Sequence, residues 1–351
     1  DAWSLPSMAD EKSFQSTPAW KAATKLKPPI AAVTAQGEAE GSEWWLEHEA
    51  LLGKAWLEWE ETTKGLLPPL NASLIHPDLR EKVYRCWTNP TKENEDEVHD
   101  LWKEVVFPHQ VFSFEHLLTN EGIRAVRSHL DAISDSGIPT RRPNAMNRFG
   151  VLFDPAVPGG VSHTPLLSFL DVLVNGFVRP LGRLFFPAFV QRDDDASFYA
   201  FTIRYSADED LKLDEHSDAS VVSLNLNLNH PEEKYTGSSI YFVVDEKDVT
   251  RQSKDTAQSS RNPRPKQRHE LQFEPGTALI HRGMLRHGAI PISEGHRHNL
   301  VIWLYGKDGS VRFAPYEPHE QLSRAQRWSD ETTQCQNDRS MSKHDLDFEI
   351  L

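Results

Sequence analysis

Apolar residues along this chain follow two rhythms, and the change between them divides it. Between residues 42 and 66, Trp45, Leu52, Trp56 and Trp59 recur at spacings of 7, 4 and 3, the period of one helix face. An aromatic stripe of this kind is read as core packing. Residues 78–106 predict two more helices, broken around Thr88, Asn89 and Pro90, and helical patterns return at 117–136 and 164–186. Residues 1–41 are mixed polar, Ala and Pro sequence without a period, and are expected to be loosely ordered.

From residue 196 onward the period shortens to two. SFYAFTIRY, VVSLNLNLN, SSIYFVV, HELQF, TALIH and RHNLVIWLY read as strands, separated by turn residues at 229–231, Gly237, 275–276 and Gly295. Several short strands so spaced predict a sandwich or barrel. Between two of them lies the polar stretch DVTRQSKDTAQSSRNPRPKQR, with Arg251, Lys254, Arg261, Arg264, Lys266 and Arg268. A loop of that length is either disordered or a lid that faces substrate.

The composition removes some functions. With 351 residues the chain can bury one large domain with additions. Its formal net charge of -14 argues against a general binder of nucleic acid or of an anionic membrane surface. Cys86 and Cys335 offer neither a zinc spacing nor a disulfide framework, so a reducing, cytoplasmic setting is expected. The richest apolar run, LLSFLDVLVNGFVRPLGRLFF, is interrupted by Asp171, Asn175, Arg179 and Arg183, and no membrane helix is expected.

Candidate chemistry starts with His-x-Asp triplets, of which there are three. In His129-Leu-Asp131 the surrounding Ile123, Val126, Leu130 and Ile133 are helical in period. Residues two apart on a helix point about 200° apart, so this pair cannot close on one ion and is read as solvated. In His76-Pro-Asp78, Asp78 is read as a helix N-cap. His216-Ser-Asp218 precedes a period-two strand, VVSLNLNLN. In extended backbone, residues two apart share a face, so these two side chains can share a partner. Iron(II) oxygenases add a second His to such a pair and leave three coordination positions open. Residues 274–306 offer His281, His287, His296 and His298. Arg297 opens an apolar strand ten residues after His287, where a cation is costly unless an anion meets it. The Gly-Ala-Ile-Pro turn after His287 is expected to set it and Arg297 on neighbouring strands, facing inward. His296 and His298 have the opposite parity and are expected outside, while His281 competes with or flanks the site.

The order His-x-Asp, distal His, then Arg ten residues later resembles the iron(II)/2-oxoglutarate-dependent dioxygenase superfamily. Its prolyl-4-hydroxylase-like branch is closest, in particular the proteins called 2-oxoglutarate and iron-dependent oxygenase domain-containing. The matching stretches are RPNAMNRFGVLFD, RYSADEDLKLDEHSDASVVSLNLNL, YTGSSIYF and HRGMLRHGAIPISEGHRHNLVIWLYG, spanning about 140–306. The resemblance implies an α+β fold, a double-stranded β-helix (jelly-roll or cupin-like) core flanked by helices, with a helical N-terminal extension. On that reading 42–106 is the extension and 107–315 the dioxygenase domain. Within the latter lie the β core at 196–306 and the polar insert at 246–268, and 316–351 form a tail.

It further implies His216, Asp218 and His287 as iron ligands and Arg297 as the partner of the C5 carboxylate of 2-oxoglutarate. Tyr205 falls near a cosubstrate-contacting position, or is a plain buried strand Tyr. Asn225 and Asn227 line the cavity if the alternating Leu side faces the outer helices, and lie on the surface otherwise. Asn299, Val301 and Trp303 share the parity of Arg297 and would shape a substrate pocket, with Trp303 alternatively plain core. Asn144 and Asn147 are candidate pocket-rim groups. The implied reaction needs Fe(II), 2-oxoglutarate and O2, with ascorbate as a reductant. It oxidises an unactivated C–H bond by hydroxylation, desaturation or cyclisation. The expected substrate is an amino-acid-like small molecule, because the helical extension could cap the barrel mouth. A prolyl-type hydroxylase of protein side chains and an inactive binding module of the same barrel class are the alternatives. Nucleic-acid demethylation is disfavoured by the acidic balance and by Trp303, which stands where such relatives carry a second Arg.

Overall fold

The helices form where the apolar period is 3.6, and each boundary has a local cause. The computed structural model describes residues 18–28, 42–106, 110–144, 146–187, 189–190, 198–218, 220–244, 267–305, 311–313 and 339–341. Helix α1 (Pro18–Ala23) falls inside the segment expected to be loosely ordered. It is held in place because Ala23 is fully buried and the Trp20 indole donates to the Ser136 carbonyl at 2.7 Å. Helix α2 (Ser42–Thr63) buries Trp45, Leu52, Trp56 and Trp59, the predicted stripe.

Helices α3 (Pro77–Thr88) and α4 (Lys92–His99) are separated at Asn89 and Pro90, and the Thr91 side chain caps α4 through Asn94 N–H. His76, not Asp78, occupies the N-cap of α3, and Asp78 lies in its first turn. There a carboxylate still favours the helix through the macrodipole. The second helix is shorter than predicted. Lys103–Glu104 instead forms strand β1 against β2 (Val111–Phe114), since pairing to a free sheet edge satisfies backbone groups that a frayed helix end leaves open. Helix α5 (Asn120–Asp135) is capped by Thr119, which accepts from Gly122 N–H at 3.0 Å. Helices α6 (Thr164–Leu173) and α7 (Arg179–Phe185) run together through one π turn, Val174–Val178. Such a wide turn suits the missing N–H of Pro180.

One expectation on α5 fails. His129 is buried, not solvated. Its Nε2–H donates to the Pro68 carbonyl at 2.8 Å, so its Nδ1 accepts from His163 Nε2–H at 2.7 Å. The helical argument against a shared ion still holds, for Asp131 points to solvent.

The remaining strands are β3 (Leu152–Phe153), β4 (Phe198–Tyr205), β5 (Leu213–His216), β6 (Val222–Asn227), β7 (Tyr235–Gly237), β8 (Ile240–Val244), β9 (Gln267–Leu271), β10 (Ala278–Arg282), β11 (His287–Ala289), β12 (Ile292–Gly295), β13 (Arg297–Leu304), β14 (Val311–Phe313) and β15 (Arg339–Met341). A seven-stranded antiparallel sheet has the order β1-β2-β10-β6-β13-β4-β3, and a four-stranded one the order β5-β11-β8-β9. Strand β9 starts two residues before the predicted HELQF and ends two before its close. Arg268, expected in the polar insert, is therefore a strand residue, with its guanidinium 4.5 Å from the Tyr241 ring. The rest of the insert, residues 246–266, lies outside the described residues.

Alternation decides what each sheet face does. Val222, Leu224 and Leu226 of β6, with Leu300, Ile302 and Leu304 of β13, join one hydrophobic core with Trp56, Trp59, Val83, Phe169 and Leu170 of the helices. The other face turns toward the smaller sheet. There Phe201, Ile203, Tyr205, Val301 and Trp303 cluster with Leu213 and Ala289, and Val111 and Leu279 with Ile240 and Phe242. Two antiparallel sheets face to face with helices behind the larger make the α+β double-stranded β-helix. Helices α2 and α3 share the core behind the larger sheet.

Candidate metal centre

Strand β5 ends at His216, and Asp218 follows two residues on, its N–H bonded to the Gly283 carbonyl at 2.8 Å. Strand β11 begins with His287, paired directly with His216 on β5 and with Phe242 on β8. Register alone thus brings together residues about seventy apart in sequence. One ligand atom from each of His216, Asp218 and His287 lies within 4.8 Å of the others. His216 Nε2 and His287 Nε2 are 3.3 Å and 3.6 Å from Asp218 Oδ1.

The protonation pattern suits a cation. His216 Nδ1–H donates to the Asp214 carbonyl and His287 Nδ1–H to the Leu285 carbonyl, each at 2.8 Å. A carbonyl can only accept, so these bonds place a proton on each Nδ1 and turn each Nε2 toward Asp218, whose contact pulls the His216 imidazole up against its burial. Burial pushes the His287 imidazole down to about 3, against the pull of Asp218. Burial would raise the Asp218 carboxyl, but His287, His216 and His281 outweigh it and hold the group below the ordinary carboxylate range. Two nitrogen donors and one ionised oxygen, grouped on one side and free of thiolate, fit a borderline divalent ion such as Fe(II).

His281 lies inside this site without joining the triad. Its Nε2 is 4.0 Å from Asp218 Oδ2, the opposite oxygen, and its Nδ1–H donates to the Arg282 carbonyl at 2.9 Å. Its ring packs edge-on against His287 and Phe242. His296 is exposed and His298 half-buried, its N–H held by Asn229 Oδ1 on the outer side.

Arg297 is placed differently from expectation. It opens β13 in the large sheet, whereas His287 belongs to the small one, so the two face each other across the interior and are not on neighbouring strands. The cause is the excursion through β12, which pairs with β7 in a sheet of its own. Arg297 is 1% exposed, and among the described residues no carboxylate pairs with it. Its guanidinium lies 4.4 Å from the Tyr205 ring centroid and 5.6 Å from that of Phe273. Nη1 donates to the Ser238 carbonyl, while Nε has no partner. Hydrogen bonds also join it to Tyr205 and Tyr235. Burial pushes the Tyr205 hydroxyl up to about 12, against Arg297, so it stays neutral. A desolvated guanidinium with an orphaned N–H is a cradle for an anion, so the residues also fit a dicarboxylate cosubstrate.

The other expected residues sit as follows. The Leu side of β6 faces the helices, so Asn225 and Asn227 face the interior. Asn227 Nδ2 donates to the Tyr235 hydroxyl at 3.0 Å, and Asn299 Nδ2 to Asn225 Oδ1 at 2.8 Å. Val301 and Trp303 join the inner cluster, with the Trp303 ring stacked on Tyr199. Asn144 and Asn147 belong to a loop pinned by Asp210, which accepts from Arg148 and Phe149 N–H. Asn144 Oδ1 accepts from the Asn147 side-chain amide at 3.0 Å.

Sequence reasoning missed Ser223, Tyr235, Ser238 and Phe273. Ser223 has the parity of Asn225 and Asn227, a signal that was available. The other three stand at strand ends and turns, where no period marks them. Ser238 has φ +54 and follows Gly237 at φ +81, a left-handed pair that turns the Ser238 carbonyl onto Arg297.

No family model matches this chain. It is similar to 2-oxoglutarate and iron-dependent oxygenase domain-containing protein ICU11 of Arabidopsis thaliana, 32% identical over 198 residues, 55% of this chain and 44% of that one. Protein 2 of the same description from Xenopus tropicalis is 31% identical over 190 residues, 53% of this chain and 46% of that one. The chain thus spans about half the length of these curated relatives. Among solved structures, a Pseudomonas putida prolyl-4-hydroxylase aligns over 66% of this chain and 96% of that one, with 15% identity and a TM-score of 0.35. The chain is homologous to the 2-oxoglutarate and iron-dependent oxygenase domain-containing proteins over the matched region.

Proposed function

We propose that this chain is an Fe(II)- and 2-oxoglutarate-dependent oxygenase that oxidises an unactivated C–H bond of an amino-acid-like substrate. The convergence of His216, Asp218 and His287 on one point carries the reading. These three would hold the ion, and Arg297 with Tyr205 would hold the distal carboxylate of the cosubstrate. When bound, ion and cosubstrate supply O2-dependent oxidation coupled to loss of CO2 from 2-oxoglutarate. The protein positions and shields. The Asp214 and Leu285 carbonyls aim the two imidazoles. Arg297 would orient the distal carboxylate of the cosubstrate, and the Tyr205 hydroxyl beside it stays protonated. Tyr199, Phe201 and Trp303 form an aromatic wall on the inner face.

Helices behind the larger sheet give no preference for a free small molecule over an amino acid within a polypeptide. The assay must offer both. It measures O2-dependent conversion of 2-oxoglutarate to succinate by the purified chain with Fe(II) and ascorbate, alongside Fe(II) uptake by wild type and His287→Ala. Turnover in wild type and its loss in the variant are expected. No iron uptake and no succinate with either class of candidate would instead assign a binding module that has lost chemistry.

A further inference from the structure

The two oxygens of Asp218 have different partners. Oδ1 faces His216 and His287, while Oδ2 accepts from Ser223 Oγ at 2.5 Å. Ser223 Oγ also lies 2.7 Å from Ser220 Oγ. Because Ser223 gives its proton to the carboxylate, Ser220 must be the donor in that second contact. The result is a directed chain, Ser220 O–H to Ser223 O–H to Asp218 Oδ2. Both serines are at most 1% exposed, and hydrogen bonds so aligned strengthen one another in a dry site. His281 cannot replace Ser223 as donor, since its proton is on Nδ1 and its Nε2 is 4.0 Å away. The chain is built in by backbone packing. A Cβ on Gly283 would lie 2.1 Å from the Ser220 carbonyl and 2.3 Å from its hydroxyl, so only glycine lets the β10 end approach.

We propose that Ser223, backed by Ser220, is a positioning residue that ties up Asp218 Oδ2, so that the carboxylate meets the ion through Oδ1 alone. The inference rests on the oxygenase reading above. A carboxylate that swung to two-oxygen contact would occupy a position the keto acid or O2 needs. The consequence is therefore specific: loss of the serine hydroxyl should weaken cosubstrate chelation as well as ion binding.

The test uses the whole chain and its Ser223→Ala and Ser220→Ala variants, with thermal melts confirming that each is folded. Mn(II) affinity is read from the free-ion EPR signal. Cosubstrate chelation is read anaerobically from the visible charge-transfer band of Fe(II) with 2-oxoglutarate. Ser223→Ala is expected to weaken Mn(II) binding ~10- to 100-fold, the usual effect of losing an outer partner of a ligand, and to reduce the band at saturating Fe(II). Ser220→Ala should act in the same direction and less. Ser223→Thr, which keeps the hydroxyl, should restore both signals. If folded Ser223→Ala matches wild type in both readouts, the proposal is wrong while the oxygenase reading stands. If Ser223→Ala does not fold, unchanged readouts in Ser220→Ala overturn it instead. A wild-type chain that binds neither ion sinks the oxygenase reading itself.

Discussion

Replacing Arg297 with Met should separate what this residue does for folding from what it does for ligand. The guanidinium is 1% exposed, and removing such a cation from water costs several kcal/mol. A desolvated cation–π contact, here with Tyr205 at 4.4 Å, returns about 2 kcal/mol. The charged hydrogen bond to the Ser238 carbonyl returns roughly 1.5–3 kcal/mol. These terms nearly cancel, so Arg297→Met is expected to change the unfolding free energy by less than about 2 kcal/mol. Ligand binding has no such cancellation. Truncating one side of a desolvated charge pair costs ~2–5 kcal/mol, or roughly 30- to 5,000-fold in Kd. The assay is calorimetric titration of the Mn(II)-loaded protein with 2-oxoglutarate and with 2-oxobutyrate, which keeps the keto acid and lacks the distal carboxylate. Wild type should prefer 2-oxoglutarate by that factor, and Arg297→Met should bind the two alike. A variant that still prefers the dicarboxylate refutes the assignment.

Asp218→Asn should raise the Mn(II) Kd by more than about 100-fold, beyond what outer partners carry, and equilibrium dialysis checks it. His163 is buried against His129, and its pKa is lowered to about 4 chiefly by burial and then by His129. The unfolded chain therefore takes up a proton near 6.5 that the folded chain refuses, and stability should fall as pH drops from about 6.5 to about 4. The full loss is on the order of 3 kcal/mol, of which urea melts at pH 7 and 5 should show about 2 kcal/mol in wild type and a flattened difference in His163→Gln. Trp56→Ala removes a side chain 2% exposed in the helix-to-sheet core and should cost about 3–5 kcal/mol, read by chemical denaturation.

Local pattern carried much of this protein. The Trp stripe of α2, the break at Asn89 and Pro90, and the alternation that turns Asn225 and Asn227 inward all follow from backbone geometry, because periods of 3.6 and 2 fix which side chains share a face. The strand that ends at His216 was legible for the same reason, as was the inward parity of Arg297. What sequence could not decide depends on partners distant in the chain. His129 has the surroundings of a surface residue, and only the docking of α5 against His163 and Pro68 buries it. The helical pattern near residue 103 yields to a sheet edge that exists only once β2 is placed. Period and parity left His281 competing with His287, which the family resemblance favoured; register across three strands points the His287 imidazole at Asp218 Oδ1 and that of His281 at Oδ2. The serine chain behind that carboxylate is a tertiary fact too, since Ser220, Ser223 and Gly283 become neighbours only when β6 and β10 pair.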